Sequence, residues 1–214
     1  MNLIAFTVYG DDPIYREGLV AQVKLRDVFY PGWDIVCFSD QPVPALVGLS
    51  GVTQLLAPAT IENPMAWRLA AADLDSDRVI FRDLDSRFGR RETAAVAAWI
   101  ASGLPYHVMR DHPHHYHAIL GGMWGITAAA TVHGQLLSLL RVWQGLHPGR
   151  VEYGADEAFL SEVVWPRAQQ EGVLQHDAFM HFPGGQPFPT DDHFGHFVGE
   201  KIKQFPLFPK GGLN

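Results

Sequence analysis

Two aspartates, Asp83 and Asp85, directly follow the apolar run 79–81 in the stretch "DRVIFRDLDSRFGRRE". Residues i and i+2 of a strand share a face, so these two carboxylates can approach one point in space. Proteins usually hold Mg²⁺ or Mn²⁺ with one or two carboxylates together with substrate phosphates. The pattern predicts a divalent-metal site at the end of a strand, where a cation would offset the charge of a departing diphosphate.

Four arginines, Arg82, Arg87, Arg90 and Arg91, crowd the same stretch. They could add charge-assisted hydrogen bonds to a phosphate or carboxylate. An isolated Asp-x-Asp among arginines is, however, more often a strand-end turn with surface ion pairs. The stretch alone leaves both interpretations open, and Arg90 and Arg91 also fit the exposed start of the next helix.

Strands and helices alternate along the chain, which predicts an α/β fold. The apolar and periodic patterns predict strands over 3–10, 33–40, 51–58, 77–85, 104–111, 118–127 and 172–177, and helices over 11–30, 63–75, 90–103, 128–145 and 155–168. In open α/β sheets, ligands bind beyond the carboxyl ends of the strands. The segments "TVYGDD", "FSDQ", "RDLDSR", "MRDHP" and "GGMWG" lie at or after strand ends, so we expect them to line one rim.

The composition is that of a folded protein of 214 residues, with 47% hydrophobic and 18% charged residues. The net charge of -7 argues against broad binding to nucleic acid or anionic membranes. Cys37 is the one cysteine, so no intrachain disulfide forms. No signal peptide or membrane-spanning run is visible, which predicts a cytoplasmic protein and leaves peripheral attachment to the inner membrane face open. We expect one domain, 1–214, with 181–214 as a C-terminal extension packed on it.

The longer segment "NPMAWRLAAADLDSDRVIFRDLDSR" resembles the donor-binding segment of GT-A-fold glycosyltransferases, notably the glycogenin-like type. The chain is also similar, over roughly residues 65–200, to small bacterial and viral polysaccharide-synthesis glycosyltransferases. The matching pieces are "FRDLDSR", "HVMRDHP", "ILGGMWG", "YGADEAFLSEVVWP", "HD" and "PFPT…FVG". The resemblance implies a single GT-A-like α/β domain whose central sheet is mixed, mostly parallel, and flanked by helices.

The resemblance further implies a metal-dependent enzyme with Mn²⁺ or Mg²⁺ as cofactor. It would move a sugar from a nucleotide-diphospho-sugar, with UDP-sugar favoured, to a glycan, lipid-linked glycan or other hydroxyl acceptor in polysaccharide or surface-glycan synthesis. Asp83 and Asp85 match the metal pair, with His176 preferred over His196 as a third ligand. The implied donor-binding residues are Thr7, Val8, Tyr9, Asp40, Arg68, Asp83, Leu84, Gly121 and Gly122.

Two further groups of residues are assigned through the same resemblance. Arg110, Asp111 and Trp124 are candidates to contact a donor or acceptor sugar, although Trp124 fits equally well in a core. Asp156 and Glu157 are the catalytic candidates, and they also suit the capping and first turn of a helix. Glu157 stands where glycogenin-like enzymes have glutamine, so its role as base, nucleophile or hydroxyl ligand stays open.

Two other functions compete with this interpretation. A phosphatase of the haloacid-dehalogenase type also uses Asp-x-Asp after an apolar strand, but its motif normally continues to Thr or Val, and Arg87 stands there. A non-catalytic sugar-binding protein is the second alternative. A dinucleotide-binding oxidoreductase is disfavoured because Gly-x-Gly-x-x-Gly is absent.

Overall fold

An eight-stranded sheet forms the centre of the computed structural model, which describes residues 1–191 and 196–202. The strands are β1 Asn2–Val8, β2 Asp34–Ser39, β3 Val52–Leu56, β4 Arg78–Arg82, β5 Tyr106–Arg110, β6 Met123–Thr127, β7 Val173–Asp177 and β8 Gly185–Gln186. Their order across the sheet is β3-β2-β1-β4-β6-β5-β7-β8.

Strand direction confirms the expected mixed, mostly parallel sheet. β6 runs antiparallel to both β4 and β5, and the other neighbouring pairs are parallel. In the β4–β6 register, Arg82 at the end of β4 pairs with Met123 at the start of β6. The residues just before β6 therefore reach the same edge as those just after β4, which brings the glycines of "GGMWG" towards Asp83.

Helices cover the sheet and agree broadly with the predicted pattern. They are α1 Pro13–Phe29, α2 Arg90–Ser102, α3 Leu136–Leu146, α4 Ala155–Phe159 and α5 Trp165–Glu171, with a π-helical turn Leu160–Val164 and 3-10 helices Pro44–Leu46 and Pro64–Asp73. The Asp12 carboxylate accepts a hydrogen bond from the Ile14 N–H at 2.9 Å and caps α1. Gly103, with φ of 69°, ends α2 in the left-handed conformation that suits glycine.

Several element boundaries differ from the sequence prediction. β4 ends at Arg82, so Asp83 and Asp85 lie in the loop and turn after it and not on the strand predicted over 77–85. The helix predicted over 128–145 begins only at Leu136, because Gly134 has φ of 75° and the Asp73 carboxylate caps the Leu136 N–H at 2.9 Å. The strand predicted over 118–127 begins at Met123, which leaves Gly121 and Gly122 in a turn before β6.

Both faces of the sheet are buried, which explains the continuous apolar runs of its central strands. On β1, Leu3 and Ala5 pack into a core with Trp124 and Phe159, whereas Ile4 packs into the core beneath α1 and α2. In the described part of the chain, no helix is both long and apolar enough for a membrane crossing.

A buried histidine pair joins β5 to β7. His107 Nε2 lies 2.9 Å from His176 Nδ1, and His176 Nε2 lies 3.3 Å from the Gln186 amide. Burial lowers the pKa of His176 to about 4, with the Arg91 charge adding to the effect. Burial likewise lowers the pKa of His107 well below its usual value, so both rings are neutral at pH 7.

This pair predicts a loss of stability in mild acid. An unfolded histidine has a pKa of about 6.5, so between pH 6.5 and 4 the unfolded chain binds a proton that folded His176 does not. The free energy of unfolding should therefore fall with pH across that window, as measured by urea unfolding at pH 7, 6 and 5. His176→Gln should make the free energy of unfolding less dependent on pH across this window. His114→Gln, at an exposed position, should show the same pH dependence as the wild type. An unchanged slope in His176→Gln would contradict this account.

Candidate functional site

A cavity of about 150 Å³ opens at the carboxyl edge of β1 and β4. It collects side chains from six separate parts of the sequence. Its lining residues are Thr7, Tyr9, Tyr15, Met65, Arg68, Asp83, Leu84, Asp85, Gly121, Gly122, Tyr153, Gly154, Asp156 and Glu157. The structure therefore brings together most residues that the sequence analysis proposed for donor binding, metal binding and catalysis.

Arg68 occupies the centre of this cluster and is only 6% exposed. Its guanidinium forms a close ion pair with Asp83, lies 3.4 Å from Asp156 Oδ2, and donates to the Arg82 carbonyl at 3.1 Å. Burial alone would lower the pKa of Arg68, but Asp83 and Asp156 outweigh burial and raise it. The Arg68 backbone N–H donates to Thr7 Oγ1 at 2.9 Å, which ties the 3-10 helix to the end of β1.

Gly121 and Gly122 are needed because charged side chains lie against their backbone. A Cβ at Gly121 would stand 2.6 Å from both Arg68 Nη2 and Asp156 Oδ2, and one at Gly122 would overlap the Asp83 carboxylate. Neither glycine has a positive φ. Glycine is therefore required at these positions because charged side chains approach the backbone closely, and not because of the backbone conformation.

Asp85 lies beside the C-terminal segment. Lys201 Nζ is 3.3 Å from its carboxylate, and the Ile202 N–H donates to its backbone carbonyl at 2.7 Å. Burial, followed by the nearby Asp83 charge, raises the pKa of Asp85, while Lys201 acts in the opposite direction. Asp83 and Asp85 both line the cavity, so the two residues border a common space.

The catalytic candidates Asp156 and Glu157 stand in the first turn of α4. Asp156 is buried against Arg68, whereas Glu157 lies 3.4 Å from His117 Nε2. Burial raises the pKa of Glu157 above its usual value and His117 opposes this shift. Glu157 therefore binds a proton more tightly than an exposed glutamate does.

Aromatic rings surround the end of β1. The Tyr9 ring stacks at 6.3 Å on Tyr15 and meets Trp67 edge-on at 6.1 Å. The proposed nucleotide residues Val8 and Asp40 do not line the cavity. Val8 is fully buried in the core, and the Asp40 carboxylate accepts a hydrogen bond from the Gly10 N–H at 3.0 Å, so both shape the loop after β1.

The three residues proposed to contact a sugar lie outside the cavity, which corrects that expectation. Arg110 is 1% exposed, donates to the carbonyls of His117 and Ala118, and lies 3.6 Å from Asp177. Asp111 accepts two 2.8 Å hydrogen bonds from Arg91, and fully buried Trp124 stacks on Phe81 at 4.3 Å. These partners give all three side chains structural roles.

The histidines proposed as a third metal ligand also lie outside the cavity lining. His176 is fully buried in its pair with His107, and His196 lies 2.7 Å from the Glu200 carboxylate. Among the residues that the structure describes, no group of three or more His, Cys, Asp or Glu side chains could hold a metal. Of the side chains that the sequence suggested as metal ligands, Asp83 and Asp85 are the two that line the cavity.

The sequence analysis missed several residues that line the cavity. Tyr153 and Gly154 directly precede Asp156 in the quoted "YGADE", so their position was readable from the motif. Tyr15 lies on the first turn of α1 and Met65 on the 3-10 helix. Nothing in their local sequence distinguishes them, because their approach to the cavity depends on how these helices pack.

Comparison with known proteins gives the class of fold. The sequence matches no family model and no curated protein. The structure is similar to a glycosyltransferase involved in glycosylation of the major capsid of PBCV-1, with 12% identity, a TM-score of 0.54, and 82% of this chain and 81% of that chain covered. It is also similar to galactosyltransferase LgtC in complex with donor and acceptor sugar analogs, with 13% identity, a TM-score of 0.52, and coverage of 82% and 73%.

A third neighbour is the mannosyltransferase PcManGT from Pyrobaculum calidifontis in complex with GDP-Man and Mn²⁺. It shares 14% identity and a TM-score of 0.54, with 82% of this chain and 54% of that chain covered. Identities this low establish the fold alone. The chain has a GT-A-like glycosyltransferase fold, as the sequence resemblance implied.

The glycine requirement gives a direct test of the cluster. Gly122→Ala should destabilise the protein by about 1–3 kcal/mol, because the added methyl displaces the Asp83 carboxylate from Arg68. Gly145→Ala is the matched control: nothing lies within 4 Å of its added methyl, so its stability should be unchanged or slightly raised. Urea unfolding of both variants measures the difference. Equal stability of Gly122→Ala and wild type would contradict the placement of Asp83.

Proposed function

We propose that the protein is a glycosyltransferase that binds a nucleotide-diphospho-sugar in the cavity beside Arg68. The observation that carries this proposal is the joint presence of Asp83, Asp85, Asp156 and Glu157 around one buried arginine at the carboxyl edge of the sheet. The GT-A-like fold supports it, since structural neighbours include transferases in complex with nucleotide-sugar or sugar analogs.

Asp83 and Asp85 are the residues that would hold a divalent cation, Mn²⁺ or Mg²⁺, together with the donor phosphates. Such ions commonly take one or two protein carboxylates and fill their remaining positions with phosphate and water, so two carboxylates suffice. When bound, the cation supplies positive charge that offsets the negative charge on the departing diphosphate. The contact between Lys201 and Asp85 places a second positive charge at the same edge. His176 or His196 as a further ligand would require a rearrangement of their present contacts.

The nucleotide would lie along the end of β1. The Tyr9 ring, supported by Tyr15 and Trp67, offers a flat surface on which a base can stack. Thr7 is held by the Arg68 backbone, while Val8 and Asp40 keep the following loop in place. A UDP-sugar is the favoured donor by analogy with the family resemblance.

Sugar transfer breaks the bond between the anomeric carbon and a diphosphate oxygen and forms a bond to the acceptor oxygen. The acceptor hydroxyl loses its proton, and the nucleoside diphosphate departs. Asp156 is fixed by Arg68, so we propose that it orients donor hydroxyls. Glu157 is held by His117 and by a backbone hydrogen bond at Gly121, and we propose it as the group that receives the acceptor proton or attacks the anomeric carbon.

In a phosphatase of the haloacid-dehalogenase type, Asp83 would be the nucleophile and not a metal ligand alone. A nucleophilic aspartate must present a carboxylate oxygen to phosphorus, whereas Asp83 is paired with buried Arg68 and lies against Gly122. Hydrolysis of p-nitrophenyl phosphate that Asp83→Asn abolishes would favour the phosphatase. The sugar-binding alternative predicts saccharide binding without any release of nucleotide from a nucleotide-sugar.

The wider biological setting is proposed on the same basis. A glycan or lipid-linked glycan acceptor, a role in polysaccharide or surface-glycan synthesis, and a cytoplasmic or peripheral location all follow from the sequence resemblance. The described part of the C-terminal extension contacts the rest of the domain. The Val198 N–H donates to the Asp111 carboxylate, and the Lys201 ammonium group pairs with the Asp85 carboxylate.

Removing one carboxylate tests the metal proposal. Asp85→Ala should abolish the Mn²⁺-dependent part of UDP binding in isothermal titration calorimetry, because Asp83 alone remains to hold the cation. Asp75→Ala, at an exposed position outside the cavity lining, is the control and should bind as the wild type does. Equal Mn²⁺-dependent UDP affinity in Asp85→Ala and wild type would overturn this assignment.

A thermal-shift panel of UDP-, GDP- and ADP-sugars, each with and without Mn²⁺, tests the donor proposal. A donor present at 100 times its Kd stabilises the folded state by about 2.7 kcal/mol. One nucleotide class should therefore raise the Tm clearly, and Mn²⁺ should enlarge the shift. The absence of a shift with every nucleotide-sugar would count against a transferase.

A further inference from the structure

A second, larger cavity of about 540 Å³ adjoins the first. The two cavities share a boundary formed by Asp83, Gly121, Gly122, Tyr153, Gly154 and Glu157. Glu157 therefore faces both spaces, and its partner His117 lines only the second one. A molecule in the second cavity would lie next to whatever occupies the first.

Aromatic rings line this second cavity from two different loops. Tyr116 is 61% exposed and belongs to the histidine-rich loop, while Tyr153 is 92% exposed and precedes α4. Such exposure leaves the ring faces available to a ligand. Tyrosine combines an apolar face with a hydroxyl, which suits a ligand with both C–H and O–H surfaces.

The charged side chains of the second cavity are already paired within the protein. Arg150 lies 3.1 Å from Glu162 and 3.6 Å from Glu152, and His117 lies 3.4 Å from Glu157. Burial lowers the pKa of His115 to about 4, with His112 adding to the effect, so His115 is neutral at pH 7. Arg150 is the one arginine or lysine among the described lining residues, and its charge is therefore already paired.

We propose that the second cavity is the acceptor site and that it selects an uncharged saccharide, which stacks on Tyr116 and Tyr153. This inference rests on the proposed transferase function, whose donor occupies the first cavity. Glu157 at the shared boundary, together with its partner His117 in the second cavity, orients an acceptor hydroxyl towards the donor sugar. The site replaces Arg110, Asp111 and Trp124 as the sugar-contacting surface, since those side chains are buried elsewhere.

Other classes of ligand fit the second cavity less well. An acidic glycan or a phosphorylated acceptor needs cations that are free to pair with it, and Arg150 has two carboxylate partners. A lipid chain needs an extended apolar wall, whereas the apolar lining is limited to Leu120, Met123 and Ala158. Exposed tyrosines with polar neighbours match a neutral sugar better than they match an acidic acceptor or a lipid chain.

Saturation-transfer-difference NMR on the full chain tests the site with maltose, cellobiose and lactose as neutral probes and digalacturonic acid as the acidic probe. At least one neutral disaccharide should give signals. Tyr116→Ala should reduce these signals at least five-fold, because the stacking ring is lost. Tyr116→Phe should keep them, since it retains the ring. Phe179→Ala, which removes an exposed ring outside the cavity, should also leave them unchanged.

Three outcomes would overturn the inference: no signal from any neutral disaccharide, equal signals from digalacturonic acid, or unchanged signals in folded Tyr116→Ala. Unfolding curves establish that each variant is folded. Calorimetry with UDP and Mn²⁺ on the same samples separates the two proposals. Nucleotide binding without saccharide binding would refute the acceptor site alone, whereas saccharide binding at Tyr116 without any nucleotide-sugar binding would refute the transferase and keep the saccharide site.

Discussion

The Arg68 guanidinium holds the functional edge of this protein together. It is buried, and it joins the 3-10 helix that carries it to Asp83 after β4 and to Asp156 at the start of α4. Each group needs the other, because a buried charge that loses its partner is strongly destabilising. The positive charge of Arg68 lies between two carboxylates beside a small cavity, an arrangement that suits the binding of a cation or the orientation of sugar hydroxyls. The adjacent Gly121 and Gly122 keep the space that this arrangement requires.

The sheet topology explains how distant segments reach this cluster. Parallel β1 and β4 bring Thr7 and Asp83 to one edge, and antiparallel β6 brings the two glycines to the same edge from the opposite direction.

The two cavities differ in the side chains that line them. Paired carboxylates and an aromatic platform surround the smaller space, whereas exposed tyrosines and internally paired charges surround the larger one. Glu157 lies at their boundary, so in the proposed function it would face both the donor and the acceptor.

Sequence reasoning succeeded where a local pattern carries its own physical cause. The apolar run before Asp83 forms β4, and the periodic patterns over 11–30 and 90–103 correspond to α1 and α2. The GT-A-like fold and most of the cavity lining were also predictable from motif order. The burial of Trp124 was one of the two positions that its sequence allowed, whereas the burial of Arg110 and His176 was not predictable, because their partners come from distant strands and loops. Polar residues at strand ends look alike in sequence, whether they face a ligand or pair with one another inside the protein.

A crystal structure of the protein with UDP and Mn²⁺, recorded with anomalous scattering at the manganese edge, tests the central claim most directly. The account predicts an anomalous peak within coordination distance of the Asp83 and Asp85 carboxylates, with diphosphate oxygens completing the shell and Arg68 still paired with Asp156. Manganese bound elsewhere, with both aspartates free of metal and nucleotide, would contradict it.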